Sequence, residues 1–332
     1  MHGQFVWYEL TTPDVDAAIR FYPRFTGWGT QSFDKDYTMF TTGGLPIAGI
    51  FRLNDEMRAN GVPPNWMPYV EVDNVDATAD KAKSLGAAVI VGPDDIPGTG
   101  RFAVVQDPQG ATFGIYKSSR QSIAWDGTPV VSRFSWHELM TTDHNTAAKF
   151  YSSLFAWEKI SEMDMGDGLM YHIFGRNGQM YGGMYTTLKE MAGMHPFWLV
   201  YVNVKDVGKA VDIATKAGAT VHRPQMDIPG GSIAILGDPQ GAGFAVHQVS
   251  AAAPAPAPAP KKKAPAKKAA AKKAAPKKKA PVKKVAAKKA APKKKAKKAA
   301  RPKAKRTMKK TAKAAPRRKA KAKTRRAAKK KK

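Results

Sequence analysis

The chain repeats itself, and no other feature constrains its fold as tightly. Trp7-Tyr8-Glu9-Leu10 returns as Trp136-His137-Glu138-Leu139, and Phe21-Tyr22 returns as Phe150-Tyr151, both 129 residues later. Trp66, Tyr69, Val70, Val72 and Val75 return as Trp198, Tyr201, Val202, Val204 and Val207 at a spacing of 132. Ile96-Pro97-Gly98 matches Ile228-Pro229-Gly230, and Asp107-Pro108-Gln109-Gly110 matches Asp238-Pro239-Gln240-Gly241. Blocks that keep their order while the spacing drifts by a few residues imply two copies of one domain with small loop insertions. The copies are expected at 3–118 and 132–248, joined by a linker at 119–131.

Each copy divides again. Residues 6–11 alternate and predict a strand. A helix follows, with Thr12 as N-cap, Pro13 at the first helical position and Asp14 in the first turn; Ala17, Ala18, Phe21 and Phe25 form its apolar stripe. Pro23, matched by Ser152 in the second copy, is expected to kink or end that helix. Strands are predicted near 37–41 and 46–52. The second half repeats the plan, with a strand at 69–72, a helix over 75–85 closed by Gly86, and strands near 88–91, 101–106 and 111–116. Asp107-Pro108-Gln109-Gly110 has the residues of a type I turn and joins the last two strands as a hairpin. The fold class is therefore α+β, with four βαβββ modules, two per copy. Gly43-Gly44 and Gly182-Gly183 lead into no helix, so they read as strand bulges or points of close approach rather than phosphate loops.

Charge separates a third part of the chain. Residues 251–332 hold 37 of the 56 Lys and Arg and none of the 26 Asp and Glu. The first 250 residues carry 19 basic against 26 acidic groups, so the formal charge of +30 describes neither part. The C-terminal segment has no aromatic residue, Leu or Ile, and cannot bury enough apolar surface to offset the entropy of ordering it. All 7 Trp, 10 Tyr and 14 Phe lie before it, enough for one or two cores. No apolar run approaches the ~18 residues of a membrane span, and Met1-His2-Gly3-Gln4 lacks the parts of a signal peptide. The absence of Cys excludes a disulfide framework, a thiolate nucleophile and a Cys-containing zinc site. A cytoplasmic protein is expected.

Asp-Val-Asp-Ala-Ala-Ile-Arg-Phe-Tyr at 14–22, Val-Asp-Asn-Val-Asp-Ala at 72–77 and Gly-Arg-Phe-Ala-Val-Val-Gln-Asp-Pro-Gln-Gly-Ala-Thr-Phe at 100–113, all in this order, resemble the vicinal oxygen chelate superfamily. That group includes glyoxalase I, bleomycin-resistance proteins and extradiol dioxygenases. Within it the chain is most similar to two-domain glyoxalase-like proteins related to a secreted mycobacterial antigen. The resemblance implies that paired modules curl into a half-open barrel whose cup holds a small molecule, often beside a divalent metal. The ligand positions of metal-dependent members fall on Trp7 and Trp136 in the first strand, near Ile50 and Met184 in the fourth, on Met67 and Leu199 in the fifth, and on Gly114 and Ala245 in the last. None of these side chains suits a hard divalent ion. No cofactor is expected, and no metal at the usual positions.

Glu9 and Glu138 are the candidate catalytic residues. Alternation puts them on the face of Trp7 and Trp136, which lines the cup in this family. A carboxylate in an aromatic cup could abstract a proton or anchor a polar ligand, or could only accept structural hydrogen bonds. Trp7, Trp66, Tyr69, Trp136, Trp198 and Tyr201 are the candidate ligand-binding residues, which could stack a flat ligand or fill the cup themselves. His137 points away from Glu138, and a metal site made of His137, His172 and His247 would need those strands to converge.

Residues 253–260 alternate Ala and Pro, and 251–260 form a stiff spacer. From 261 to 332 the chain resembles the tails of linker histones and of Lys/Ala/Pro-rich bacterial nucleoid proteins. Lys261, Lys262, Lys263, Lys277, Lys278, Lys279, Lys293, Lys294, Lys295, Arg317, Arg318, Arg325 and Arg326 lie in its densest runs. Such a polycation binds DNA, RNA or polyphosphate through counterion release, without sequence readout. No apolar face supports membrane insertion. Three functions are open: a small-molecule-binding body tethered to DNA at the nucleoid, a lyase, isomerase or oxygenase using Glu9 and Glu138, and an architectural nucleoid protein with an inert body.

Overall fold

Residues 1–119 and 129–250, apart from 167, 189, 190 and 192, are described by the structure, a computed structural model. The first copy runs β1 (Phe5–Thr12), α1 (Val15–Phe21), α2 (Pro23–Thr26), β2 (Gly29–Ser32), β3 (Tyr37–Thr42), β4 (Leu45–Arg52), α3 (Asp55–Ala59), β5 (Asn65–Glu71), α4 (Val75–Ser84), β6 (Ala88–Ile96), β7 (Gly100–Gln106) and β8 (Thr112–Ser118). The second runs β9 (Phe134–Thr141), α5 (His144–Phe155), β10 (Glu158–Asp164), β11 (Met170–Arg176), β12 (Gln179–Thr186), β13 (Phe197–Asn203), α6 (Val207–Lys216), β14 (Thr220–Ile228), β15 (Gly231–Gly237) and β16 (Gly243–Val249). The basic segment and most of the linker lie outside the described residues.

Local chemistry explains the element boundaries. Asp14, rather than Thr12, caps α1: its carboxylate accepts from Ala17 N at 2.9 Å. Thr12 is unavailable for that task because it is buried and paired with Arg52 in the sheet. Pro23 separates α1 from the single turn α2, whereas Ser152 at the matching position lets α5 run unbroken for 12 residues. Gly86 sits at φ +93°, a left-handed position beyond the end of α4. Strand β2 has no apolar alternation to betray it; all four of its residues are exposed, and pairing with β3 holds it.

Each copy makes one open sheet of eight strands, not a closed barrel. The order is β2-β3-β4-β1-β5-β8-β7-β6, and β10-β11-β12-β9-β13-β16-β15-β14 in the second copy. Antiparallel pairing of β1 with β5, and of β9 with β13, joins the two modules of each copy within the chain.

Hydrophobic burial then crosses the copies. Leu10, Ala18, Phe21, Tyr22, Ile50 and Trp66 of the first copy share a core with Val200, Val207, Ala210, Leu236 and Phe244 of the second. The reciprocal core joins Val70, Ala79, Phe113 and Ile115 to Leu139, Phe150, Tyr151, Phe155 and Trp198. The repeated motifs meet there. Tyr22 of the first Phe-Tyr pair donates to Asp238 of the second turn at 2.9 Å, and Tyr151 donates to Asp107 at 2.9 Å. Each aspartate also accepts from backbone N–H groups of its own turn, from Gln109 and Ala111 or from Gln240 and Ala242. The turn signature is thus also a docking site for the other copy. The equivalent residues Tyr8 and His137 face each other between the copies, 2.6 Å apart.

Candidate functional site

Alternation along β1 sends Tyr8 and Leu10 into the shared core and leaves Trp7 and Glu9 on the helix-free face. Glu9 is held from two sides: Tyr37 on β3 donates to Oε1 at 2.7 Å, and Tyr69 on β5 donates to Oε2 at 2.5 Å. The indole N–H of Trp7 donates in turn to the Tyr37 hydroxyl at 3.1 Å. The second copy rebuilds the arrangement. Trp136 donates to Tyr171 at 2.8 Å, Tyr171 donates to Glu138 at 2.9 Å, and Tyr201 is hydrogen-bonded to the same carboxylate. Met67, Phe102, Val104 and Tyr116 surround the first site. Leu199, Phe197, Ile233, Ile235 and Met226 surround the second.

Glycine makes room for the tyrosines. A Cβ at Gly49 would lie 1.7 Å from the Tyr37 hydroxyl, and one at Gly183 would lie 2.1 Å from the Tyr171 ring. A Cβ at Gly114 would lie 2.0 Å from the Tyr69 ring. The rings therefore lie flat along the sheet over positions with no side chain, and their hydroxyls converge on the carboxylate.

Burial is the dominant electrostatic influence. It pushes the Glu9 carboxyl up, against the opposing hydrogen bonds from Tyr69 and Tyr37. Glu138 is raised in the same way, opposed by Tyr171, Tyr201 and the positive charge of Arg223. Burial and the neighbouring carboxylate hold Tyr37, Tyr69, Tyr171 and Tyr201 far above their ordinary pKa, so each stays a hydrogen-bond donor. Each site is a carboxyl with fixed donors behind it and aromatic walls around it.

Two placements differ from expectation. Trp66 and Trp198 do not share the face of Trp7 and Trp136. They are buried in the cross-copy cores and donate to Tyr22 and Tyr151, at 2.9 and 3.2 Å. The residues alternating with them, Met67 with Tyr69 and Leu199 with Tyr201, face the site instead. On the fourth strand of each copy, Ile50 and Met184 are likewise core residues, and the site-facing positions are Gly49 and Gly183. Trp7, Gly49, Met67 and Gly114, with Trp136, Gly183, Leu199 and Ala245 in the second copy, offer this face no imidazole or carboxylate.

The histidines follow separate courses. His137 is hydrogen-bonded at both ring nitrogens, to Tyr8 and to the Tyr181 carbonyl, and burial lowers its pKa to about 3. His247 pairs with Ser135 at 3.1 Å. Neither meets His172, which instead lies beside His144 and Glu162. Gly43-Gly44 is the β3–β4 turn, not a bulge, whereas Gly182-Gly183 is a point of close approach, to the His137 backbone at Gly182 and to the Tyr171 ring at Gly183. Tyr37 and Tyr171, the residues that connect Trp to Glu, were legible only as the repeated Tyr-x-x-Phe of 37–40 and 171–174. The basic residues from Lys261 to Arg326 lie outside the described residues.

Comparison with known proteins agrees with this fold. The family model described as glyoxalase/bleomycin resistance protein/dioxygenase superfamily matches twice, at residues 4–115 and 133–246. "Putative glyoxylase CFP32" of Mycobacterium tuberculosis is 32% identical over 249 residues, 72% of this chain and 92% of its own. The anthracycline biosynthesis protein DnrV of Streptomyces peucetius is 30% identical over 263 residues, 74% of this chain and 92% of its own. Among solved structures, the Mn(II)-bound glyoxalase from Novosphingobium aromaticivorans shares the fold at a TM-score of 0.53 and 15% identity, over 74% of this chain and 82% of that one. The 2,3-dioxygenase LapB from Pseudomonas sp. KL28 does so at 0.55 and 11%, over 75% and 93%.

Proposed function

The chain belongs to the glyoxalase/bleomycin resistance protein/dioxygenase superfamily, and from that premise we propose that its two helix-free faces bind a small aromatic or carbonyl compound without a metal at the family's usual positions. The basic segment at 261–332 holds the protein on nucleic acid, in the cytoplasm at the nucleoid. The observation that carries the binding reading is the carboxyl of Glu9 fixed between Tyr37 and Tyr69 and flanked by Trp7, rebuilt around Glu138. The carboxyl supplies one polar anchor, accepting from a ligand hydroxyl when ionised or donating to a carbonyl when protonated. Trp7 and Trp136, half-exposed, offer faces on which a flat ring stacks. The similarity to a protein named for anthracycline biosynthesis fits a flat aromatic carbonyl ligand.

Calorimetry with an anthraquinone probe tests this reading on the full chain. Binding should persist in the presence of a chelator and weaken in the Glu9→Gln/Glu138→Gln variant. Binding that disappears with chelator and returns with Mn2+ would overturn it. For the basic segment, mobility shifts at low and high salt compare the full chain with one ending at Val249. Binding should be lost on truncation and weakened by salt; equal binding by the shortened chain refutes the assignment.

A second reading rests on the raised carboxyl pKa. Glu9 and Glu138 then act as acid and base in a lyase, isomerase or oxygenase reaction. Full turnover by the double Gln variant on a substrate of the wild-type protein would remove that reading.

A further inference from the structure

We propose that the second copy carries a site for a divalent transition metal, best suited to Zn2+, formed by His144, Glu162 and His172. The three come from different elements: His144 opens α5, Glu162 lies on the edge strand β10, and His172 lies opposite it on β11. One ligand atom from each lies within 4.8 Å of the other two, a grouping met nowhere else among the described residues. Ligand atoms around tetrahedral zinc stand about 3.4 Å apart at bonds of ~2.0–2.1 Å, so modest side-chain rotation closes the set. Since His172 alternates with Tyr171, the site lies across the sheet from Glu138 and is separate from the helix-free face.

Two further observations point to an ion. Both histidines are buried, and the Nδ1 of His172 has no hydrogen-bond partner, an unusual state for a buried imidazole nitrogen. His144 is already oriented as a ligand usually is: its Nδ1 contacts the Thr186 hydroxyl at 2.8 Å, which leaves Nε2 for a metal. Lys159 competes, bridging to Glu162 at 2.7 Å, and must swing aside on binding.

The internal repeat supplies a control. Strand registers align Glu162 with Ser32 and His172 with Thr38, and the matching helix starts align His144 with Val15. The first copy folds the same way without any of the three donors, so the fold does not require them. Two imidazoles and one carboxylate form a donor set typical of zinc, with a fourth position left for water.

The test uses full-length protein stripped with chelator, then dialysed to equilibrium against Zn2+ and analysed for metal. Co2+ absorption reads the geometry. One equivalent per chain is expected, with a visible band of tetrahedral cobalt and a Zn2+-dependent rise in Tm. His172→Thr and His144→Val, which install the residues of the first copy, should each weaken binding about tenfold or more and abolish the Tm response. Glu9→Gln/Glu138→Gln should retain the equivalent. Absence of stoichiometric binding, or binding that survives both His variants, overturns the proposal. Metal lost only in the Glu9/Glu138 variant overturns both this site and the metal-free reading of the helix-free faces.

Discussion

Replacing Tyr37 by Phe removes one oxygen atom and interrupts the first site at its centre. That oxygen donates to Glu9 at 2.7 Å and accepts from the Trp7 indole at 3.1 Å. A hydrogen bond to a charged group contributes about 1.5–3 kcal/mol and a neutral one about 0.5–1.5 kcal/mol. Tyr37 is half-exposed, so water recovers part of this, and the net loss should be about 1–3 kcal/mol. The direction of a second effect is set independently. The Tyr37 bond favours ionised Glu9 against the burial that raises its pKa, so its loss should raise that pKa further. Urea denaturation reads the first effect, and a carbon-13 NMR titration of the glutamate side chains reads the second. Gly49→Ala approaches the same bond from the other side, because its Cβ would displace the Tyr37 hydroxyl. It should therefore move the Glu9 titration in the same direction. A Tyr37→Phe protein with wild-type stability and an unchanged or lowered Glu9 pKa would refute the view that this tyrosine holds the carboxylate.

Other consequences follow from the same contacts. Tyr22→Phe and Tyr151→Phe each strip a buried aspartate and a buried Trp N–H of a partner, and each should cost about 2–4 kcal/mol in urea denaturation; a neutral result at either site would refute cross-copy docking through these bonds. His137 gives a pH effect of defined sign. The unfolded imidazole protonates near 6.5 and the folded one only near about 3, so its contribution is present above 6.5 and lost as pH falls toward 3. The slope reaches about 1.4 kcal/mol per pH unit, and the stability difference between wild type and His137→Asn should shrink as pH drops across that range. Glu9 and Glu138 act oppositely. Their raised folded pKa makes stability fall as pH rises from the unfolded value of 4.5 through the folded one, and the double Gln variant should lack that slope in the same denaturation series.

Much of this molecule is readable along the chain. The two copies, the order of modules, the hairpin turn at 107–110 and the break at Pro23 are local patterns or repeated ones, and they hold in the structure. The pairing of Trp7 with Glu9 on one face also follows from a period of two along a single strand. The errors have physical causes. Thr12 has the chemistry of a cap, but it ends β1 and pairs with Arg52, and Asp14 takes the role. Trp66 matches Trp7 in chemistry, but its own strand alternates so that Met67 and Tyr69 take the open face. On the fourth strand the sequence places the position only near Ile50, and in a strand one residue reverses the face, so Gly49 rather than Ile50 meets Tyr37.

By itself, then, the sequence determined the duplicated α+β plan and the separation of charge, because these depend on composition, periodicity and repetition; the family was only a resemblance carried by its ordered motifs. Only the tertiary structure decided which distant residues meet. Tyr22 finds Asp238 across 216 positions, Tyr37 reaches Glu9 over a glycine, and His144, Glu162 and His172 converge from three elements. Such contacts depend on how helices pack across the copies and on the register between strands, and no pattern within a single strand or helix encodes either.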